Sequence, residues 1–494
     1  MVFPRESGYR KWLIIGLIVQ VIAAWFSVGF HHPDEHFQVL EFCNNKLGYS
    51  PAADLPWEYG AQCRSSIPPY IALEVCRVLN VLGLYSPFMA AFLLRLIMGV
   101  ATWWLACRMI STLISDFATD QGKKLFVLCS FLLWFVPYIG VRFSSENIAG
   151  ILFFFAITLL LRMDSPLRKS FPKLMLAGLL MGIALYIRLQ MGFAFIGLAI
   201  WLLFIRKSNW SALFTLASFI LVGCAISIVP DRFFYGKWVL TPLNYFVVNI
   251  VEHKAAACGV SPWWDYFWMF FQLAVPPISL VLLLSFFTGI FKKPLHLLSI
   301  ICIFMIIGHM MISHKEMRFL FPLFFAFIFL VCQGMEVLLL KYRGRRWYGG
   351  LFPVLLVVNV LLLTVKIFTP AQEAIGYYDC LYGLHTDKNT TFVSLEKSPY
   401  KLVDVELNFY KPQGLTINVL PDKSRLDSLL KKKDEGKGSY IVLSPKNIGD
   451  NELTGYSVEK LYCPFPNWLL RFNFFDWQSR SNIWTIYRVH PKAS

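Results

Sequence analysis

The sequence predicts an all-α polytopic membrane protein of about eleven transmembrane helices, followed by a small C-terminal α/β extramembrane domain. Three observations predict this class. The 494-residue chain is 57% hydrophobic and only 15% charged, against about 25% charged in ordinary soluble domains. Its apolar stretches run to about twenty residues, the length that crosses a bilayer as a helix, whereas a membrane barrel shows alternating stretches of about ten. After Pro370 the composition turns to a mixed polar pattern.

Windows of about twenty residues place the spans at 12–30, 87–110, 124–142, 146–162, 173–188, 191–205, 211–230, 265–291, 295–312, 319–340 and 347–368. The first run is too long for a cleavable leader and lacks a small-residue cleavage site, so it reads as a retained span. The segment 67–85 carries Glu74 and Arg77 and reads as an interfacial or re-entrant helix. Arg95, in the middle of an apolar run, is expected to pair internally, with Glu74 as a partner.

A net charge of +16 would point to nucleic acid in a soluble protein. Here basic residues in short connections fix orientation instead, and no nucleic-acid partner is expected. One set of connections holds Arg5, Arg10 and Lys11; Lys123 and Lys124; Arg162, Arg168, Lys169 and Lys173; Arg206 and Lys207; Lys292 and Lys293; and Lys341, Arg343, Arg345 and Arg346, with few acids. The positive-inside rule makes that side cytosolic. The opposite set carries "HHPDEHFQ", "PWEYGAQCRSS", "RFSSEN", "IRLQ", the loop opening "DRFFYGKW", and "SHKEMRF". Every cluster that mixes charges, or sets charge beside aromatics, falls on this face. Charge near the ends of spans marks a cavity or pathway rather than lipid-facing surface, so one active face is expected.

The domains are therefore expected at 1–369, with a catalytic loop at 31–66, and at 370–494. In the second, "TTFVSLE", "GLTINVLP", "SYIVLSP" and "IWTIYRVH" read as strands and "KSRLDSLLKKKDEG" as a helix. The sequon at Asn389 lies on the non-cytosolic side and the one at Asn209 on the cytosolic side. The eleven cysteines show no metal-ligand spacing. Cys43 with Cys63, and Cys380 with Cys463, lie in polar regions where an oxidising compartment would let them pair.

In "HHPDEHFQVLEF" (31–42), Pro33 suits a first helical turn and Asp34 and Glu35 follow it. Unpaired amides and the helix dipole stabilise carboxylates there as anions. Asp34 is placed to accept a proton or bind a cation; the plainer alternative is that the two carboxylates cap the helix and pair with Arg64. A metal reading rests on His31, His32 and His36, but the order is not HExxH and no further ligand cluster exists, so no metal is expected. In "SHKEMRFLFP" (313–322), Lys315 and Arg318 flank Glu316. They read either as snorkelling interfacial side chains or as an anion site, where Arg grips a phosphate bidentately and Lys adds a point charge. Arg188, Arg64 and Lys237 could contribute from other loops. A sugar carried on a lipid phosphate has a good leaving group, so its departure needs cations rather than a general acid. The attacking hydroxyl is a weak acid and calls for one carboxylate base.

These pieces together resemble the dolichol-phosphate-mannose-dependent mannosyltransferases of glycosyltransferase family twenty-two, which have the membrane-embedded GT-C fold. The matching stretches are "HPDEHFQ", "PWEYGAQCRSS", "SSEN", "DRFFYGKWVLTPLNY" and "SHKEMRFLFP", in the family's order across 31–322. The histidine–proline–acid–acid start is most similar to the enzymes that add mannose to the glycosylphosphatidylinositol (GPI) precursor. The resemblance implies transfer of an α-mannosyl residue, with inversion, from dolichyl- or polyprenyl-phosphate mannose to a lipid-linked glycan acceptor, with no cofactor. It implies Asp34 as general base with Glu35 orienting the acceptor, and Arg64, Lys315, Arg318, Arg188 and Lys237 on the donor phosphate. It implies His32, Gln38, Glu58, Glu146, Asn147, Asp231, Tyr235, Asn244, His314 and Glu316 around the sugars. "WEYG" and "RLQMG" depart from the commoner family segments, which bears on the acceptor. The expected location is the endoplasmic reticulum membrane with a lumenal site, or a bacterial inner membrane with a periplasmic one. The alternatives are a bacterial polyprenyl-phosphate-sugar transferase for another envelope glycan and, in a different class, a transporter or flippase. A transporter would show broken helices in matching halves and midplane charges, whereas the charges here gather at one interface.

Overall fold

A computed structural model describes residues 7–163, 171–257, 259–342, 346–371, 374–385, 390–402, 404–432, 439–445, 456–465, 467–473, 476, 478 and 483–491. Contacts divide it into two units: residues 1–27, 57–75 and 91–369, and residues 28–56, 76–90 and 370–494. The second unit thus takes in much of the first loop as well as the C-terminal region.

In the first unit each expected span is helical. The runs Arg10–Phe26, Ser145–Leu161, Phe171–Ile187, Trp210–Tyr235, Leu297–Met311 and Arg346–Phe368 are single helices, and Pro87–Leu113 continues the series. Among the described residues, three helical stretches, Pro87–Asp116, Trp210–Tyr235 and Met317–Tyr342, are long and apolar enough to cross a membrane by themselves. Other spans are broken. The 265–291 run divides into Asp265–Leu273 and Ile278–Lys292 at Pro276 and Pro277, because proline supplies no amide hydrogen to the ladder. The 124–142 run divides into Asp120–Leu132 and Phe135–Gly140. The 67–85 segment is the helix Ile67–Val81.

Burial separates central from peripheral helices. Trp210–Tyr235 turns Trp210, Phe214, Leu221 and Phe233 outward, as a lipid-facing helix does, whereas Phe324–Tyr342 buries most of its residues. That helix meets Ile278–Lys292 at Gly289 and Gly334, where an added Cβ would fall on the carbonyl oxygens of Leu330 and Ser285. Small residues let the two backbones touch, which is how helices pack where water supplies no hydrophobic drive. At one end of the same helix Glu336 accepts from Thr119 N at 2.8 Å and Thr119 Oγ1 at 2.7 Å, and pairs with Lys292 at 2.7 Å.

The second unit is built on a five-stranded sheet. Its strands are β1 (Thr390–Leu395), β4 (Ile417–Leu420), β5 (Ser439–Ser444), β6 (Tyr456–Tyr462) and β7 (Thr485–Pro491), with β2 (Lys401–Leu402) and β3 (Val405–Glu406) forming a separate hairpin. The order is β4-β1-β5-β7-β6, parallel from β4 to β5 and antiparallel beyond. The helix Lys423–Lys432 joins β4 to β5 across β1, and its Leu426 packs on Val393, Val442, Tyr487 and Val489. The four expected strands and this helix are present. Strand β6 and the helix Ala374–Leu384 are additions to that expectation. Asn389 of the sequon, and Arg5, Arg168, Lys169, Arg343 and Arg345 of the basic set, lie outside the described residues.

The loop residues 28–46 join this unit through the backbone and through rings. Ala371 N donates to Val28 O at 2.7 Å. The His36 ring stacks on Tyr410 at 5.6 Å, and Tyr410, Tyr378 and Tyr400 continue the stack at 5.9 and 4.8 Å.

Candidate active site

In the first unit three helix ends meet around one carboxylate. Glu146 lies in the first turn of Ser145–Leu161, whose N-cap Ser144 accepts from Asn147 N at 3.3 Å. The Asn147 amide donates back to Ile139 O at 2.7 Å and Arg142 O at 3.0 Å, so Asn147 fixes the turn that presents Glu146. Arg188 follows the last turn of Phe171–Ile187, and Arg318 sits on the short Met317–Leu323 turn. Glu146 ion-pairs with Arg188, and with Arg318 at 3.2 Å; Arg318 also pairs with Glu316, which meets His314 Nε2 at 2.8 Å. Glu146, Arg188 and Arg318 are all buried. Lys315 is buried too, its ammonium donating to the carbonyls of Ser261 at 3.0 Å and Ile312 at 2.7 Å.

Arg64 is held beside this set by its backbone. Tyr235 OH donates to Arg64 O at 2.7 Å, and Asn244 Nδ2 donates to Ala61 O at 3.3 Å and Gln62 O at 3.1 Å. Two residues on, Ser66 gives both its amide (2.7 Å) and its hydroxyl (2.6 Å) to Asp231, whose other oxygen accepts from Tyr186 OH at 2.6 Å and Thr241 Oγ1 at 2.8 Å. A carboxylate has about four lone-pair positions, and these four donors occupy them. Asp231, Tyr235 and Asn244 therefore act here as a clamp on the 61–66 segment. The Arg64 side chain is 3.6 Å from Glu58 and lies over the Tyr245 ring at 5.2 Å. Arg64, Arg188 and Tyr245 line one pocket of about 10 Å³, room for about one water. Lys237 is exposed just beyond the left-handed Gly236 (φ 75°), unlike the buried Arg188, Arg318 and Lys315.

Sequence reasoning missed Ser66, Thr241 and Tyr245, although all lie inside the quoted motifs. It also missed Tyr186, where an aromatic residue in an apolar run gives no signal.

In the second unit Pro33 begins a helical turn with His32 as N-cap, its Nδ1 accepting from Asp34 N at 3.2 Å. Glu35 is buried and accepts from His31 N at 3.2 Å, while the Asp34 side chain stays partly exposed, 3.6 Å from His32. The buried Gln38 follows. Residues His36–Glu41 are wound as a π-helix, which stacks residues five apart. His36 Nε2 accordingly meets Glu41 Oε1 at 2.7 Å, and the same oxygen accepts from Phe409 N at 2.9 Å. His36 is thus tied into the fold. Among the described residues no group of three His, Cys, Asp or Glu side chains is placed to hold a metal.

The cysteines differ from the expected pairing. Cys43 Sγ lies 3.8 Å from Cys76 Sγ, and both are thiols, as are Cys63, Cys380 and Cys463. Cys63 instead approaches Glu58 O at 3.9 Å. The hydrogen bond to Cys76, and then burial, pushes the Cys43 thiol well above its ordinary value.

Residues 11–403 match the profile of the Alg9-like mannosyltransferase family. A GPI alpha-1,2-mannosyltransferase 3 of Mus musculus is 27% identical over 372 residues, covering 73% of this chain and 64% of the relative. A GPI mannosyltransferase 3 of Yarrowia lipolytica is 24% identical over 410 residues, covering 81% of this chain and 76% of the relative. The matches span 64%, 57% and 53% of the lengths of the Mus musculus, Bos taurus and Xenopus laevis relatives. Among solved structures, ArnT from Cupriavidus metallidurans bound to undecaprenyl phosphate superposes with a TM-score of 0.58 at 11% identity, over 98% of each chain. That likeness shows the fold, a membrane-embedded GT-C architecture.

Proposed function

Because this chain belongs to the Alg9-like mannosyltransferase family, we propose that it is an integral membrane α-mannosyltransferase. Its donor is a dolichyl- or polyprenyl-phosphate mannose and its acceptor a lipid-linked glycan of the GPI-precursor type, the class named for its relatives. The observation that carries the reading is the meeting of Arg188 and Arg318 on Glu146, at helix ends drawn from three of the sequence motifs, with the buried Lys315 three residues before Arg318 in the chain. Guanidinium and ammonium groups in a buried site suit a leaving phosphate, because they stabilise the charge that develops as the sugar departs.

In the proposed step an acceptor hydroxyl attacks the anomeric carbon of the donor. The new C–O bond forms as the bond to phosphate breaks, the electron pair leaves with the phosphate, and the hydroxyl proton passes to Asp34. Attack opposite the leaving group inverts the β-linked donor to an α-mannoside. Between the two acids Asp34 fits the base better, since it is partly exposed while Glu35 is buried against His31. No cofactor enters the step. The site faces away from the cytosol, the side on which the motifs fall when the basic connections are inside.

The test is transfer by the purified chain from labelled polyprenyl-phosphate mannose to a GPI-precursor glycolipid. Product one hexose heavier is expected, and Asp34→Asn should lose at least about 10²-fold in kcat. Donor consumption without a new glycosidic bond, or full activity of Asp34→Asn, would count against the reaction or the base respectively.

A further inference from the structure

The second unit contains a cleft of about 510 Å³ that none of the catalytic roles uses. Its volume falls within the range of about 300–1,000 Å³ common for ligand sites. Its aromatic walls are Tyr49, Tyr85 and Tyr382; its polar groups include Asn44, Asp54, Asn408 and Lys411.

The lining is mixed in a way that restricts the ligand. Asp54 accepts from Asn408 Nδ2 at 2.9 Å, and a carboxylate in the wall disfavours a phosphate. Amide, carboxylate, ammonium and phenol groups together disfavour an acyl chain, which would strip them of water without replacing it. Asn44 adds an independent observation. It is only 2% exposed, lines the cleft, and its Nδ2 has no hydrogen-bond partner among the described residues. A buried donor left in that state asks for an oxygen from a ligand. Donors and acceptors interleaved with phenol faces match a neutral polyhydroxylated ring, which offers hydroxyls at its edge and C–H groups on its face.

Position gives the cleft a role. Asn44 and Asp34 lie on one continuous helical run, Pro33–Lys46, ten residues apart, which is roughly 15 Å at helical rise. We propose that this cleft binds the glycan of the lipid-linked acceptor, gripping sugars a few units away from the hydroxyl that reacts. The inference rests on the proposed mannosyltransferase reading for the identity of that glycan. The cleft then selects the acceptor while the chemistry takes place at the other end of the run.

The experiment uses the full chain in detergent, with Tyr49→Ala and Lys411→Ala as variants at the cleft rim. Saturation-transfer NMR with free α-mannotriose should show binding to the parent and loss of at least about tenfold in affinity for the double variant, the scale of one or two lost contacts. In turnover the acceptor KM should rise by a similar factor, with donor KM and kcat held. With a minimal acceptor bearing a single mannose the variant should match the parent. Transfer with an unchanged acceptor KM, or no oligosaccharide binding by the parent, overturns the cleft and leaves the reaction standing. Saturable, Tyr49-dependent binding in a chain that transfers no mannose supports the cleft and removes the reaction.

Discussion

Replacing Asp231 by asparagine tests how the site is assembled. The native carboxylate takes four donors at 2.6–2.8 Å, from Ser66 N, Ser66 Oγ, Tyr186 OH and Thr241 Oγ1. The Ser66 amide can only donate, so the asparagine carbonyl must face it, and the new NH₂ group must face Tyr186 and Thr241. Their hydroxyls can turn to accept, but their own protons then lose the carboxylate. Hydrogen bonds to a charged group contribute about 1.5–3 kcal/mol each and neutral ones about 0.5–1.5. Two well-formed charged bonds exchanged for weaker neutral ones cost about 2–4 kcal/mol. Ser66→Ala, which removes one donor to the carboxylate and leaves the backbone bond, should cost about 1.5–3 kcal/mol. Because Ser66 is two residues from Arg64, the loss should also loosen that guanidinium, and a displacement near 1 Å costs up to about 10²-fold. Unfolding in detergent should therefore show the stability loss. Donor titrations should show a raised donor KM with a smaller change in acceptor KM, a split that plain destabilisation does not give. Asp231→Asn with parental stability and parental donor KM would refute the clamp.

Other expected outcomes follow the same logic. Arg318→Lys keeps the charge but cannot span Glu316 and Glu146 together, so donor kcat/KM should fall by about 10²-fold while folded yield holds, checked by turnover and size-exclusion chromatography. Gly334→Ala puts a methyl on the Ser285 carbonyl and should abolish monodisperse protein, whereas Gly350→Ala, with nothing near its added Cβ among the described residues, should not. Oxidation of the purified chain with diamide should join Cys43 to Cys76, their sulfurs being 3.8 Å apart; non-reducing peptide mapping that found Cys43 joined to Cys63 would contradict the structure.

What the sequence revealed follows physical reach. Apolar runs of spanning length are local signals, and each expected span is helical, with proline marking one break. Strand β6, "YSVEKLY", escaped because its charged residues sit at the end of the sheet order, paired with β7 alone among the described residues. The site residues were legible as types in loops, but not their partners. Glu146 meets Arg188 and Arg318 across 42 and 172 residues, and no periodicity in one sequence carries such a distance. His36 and Glu41, five apart, fall on different faces of an α-helix; only the π-turn aligns them.

The charge arrangement at Glu146 bears on why the donor should be an anion. One carboxylate serves two buried guanidinium groups, and the neighbouring Lys315 is held by carbonyl oxygens alone among the described residues. Glu316 supplies one further negative charge to Arg318. Arg188 and Arg318 thus share Glu146 and Glu316, and the buried Lys315, next to Glu316 in the chain, adds a third cation whose described partners are carbonyl oxygens. A buried cation held by carbonyl oxygens rather than a carboxylate is costly in low dielectric unless an anion reaches it. A bound lipid phosphate would do so, and its affinity would then come from relieving an existing imbalance rather than from rearranging a neutral site. Glu146→Gln removes the internal anion and adds to the imbalance, so on this argument it should tighten binding of a free polyprenyl phosphate while lowering the stability of the unliganded chain. Equal weakening of both would mean that Glu146 positions the arginines, and that their charge is already balanced.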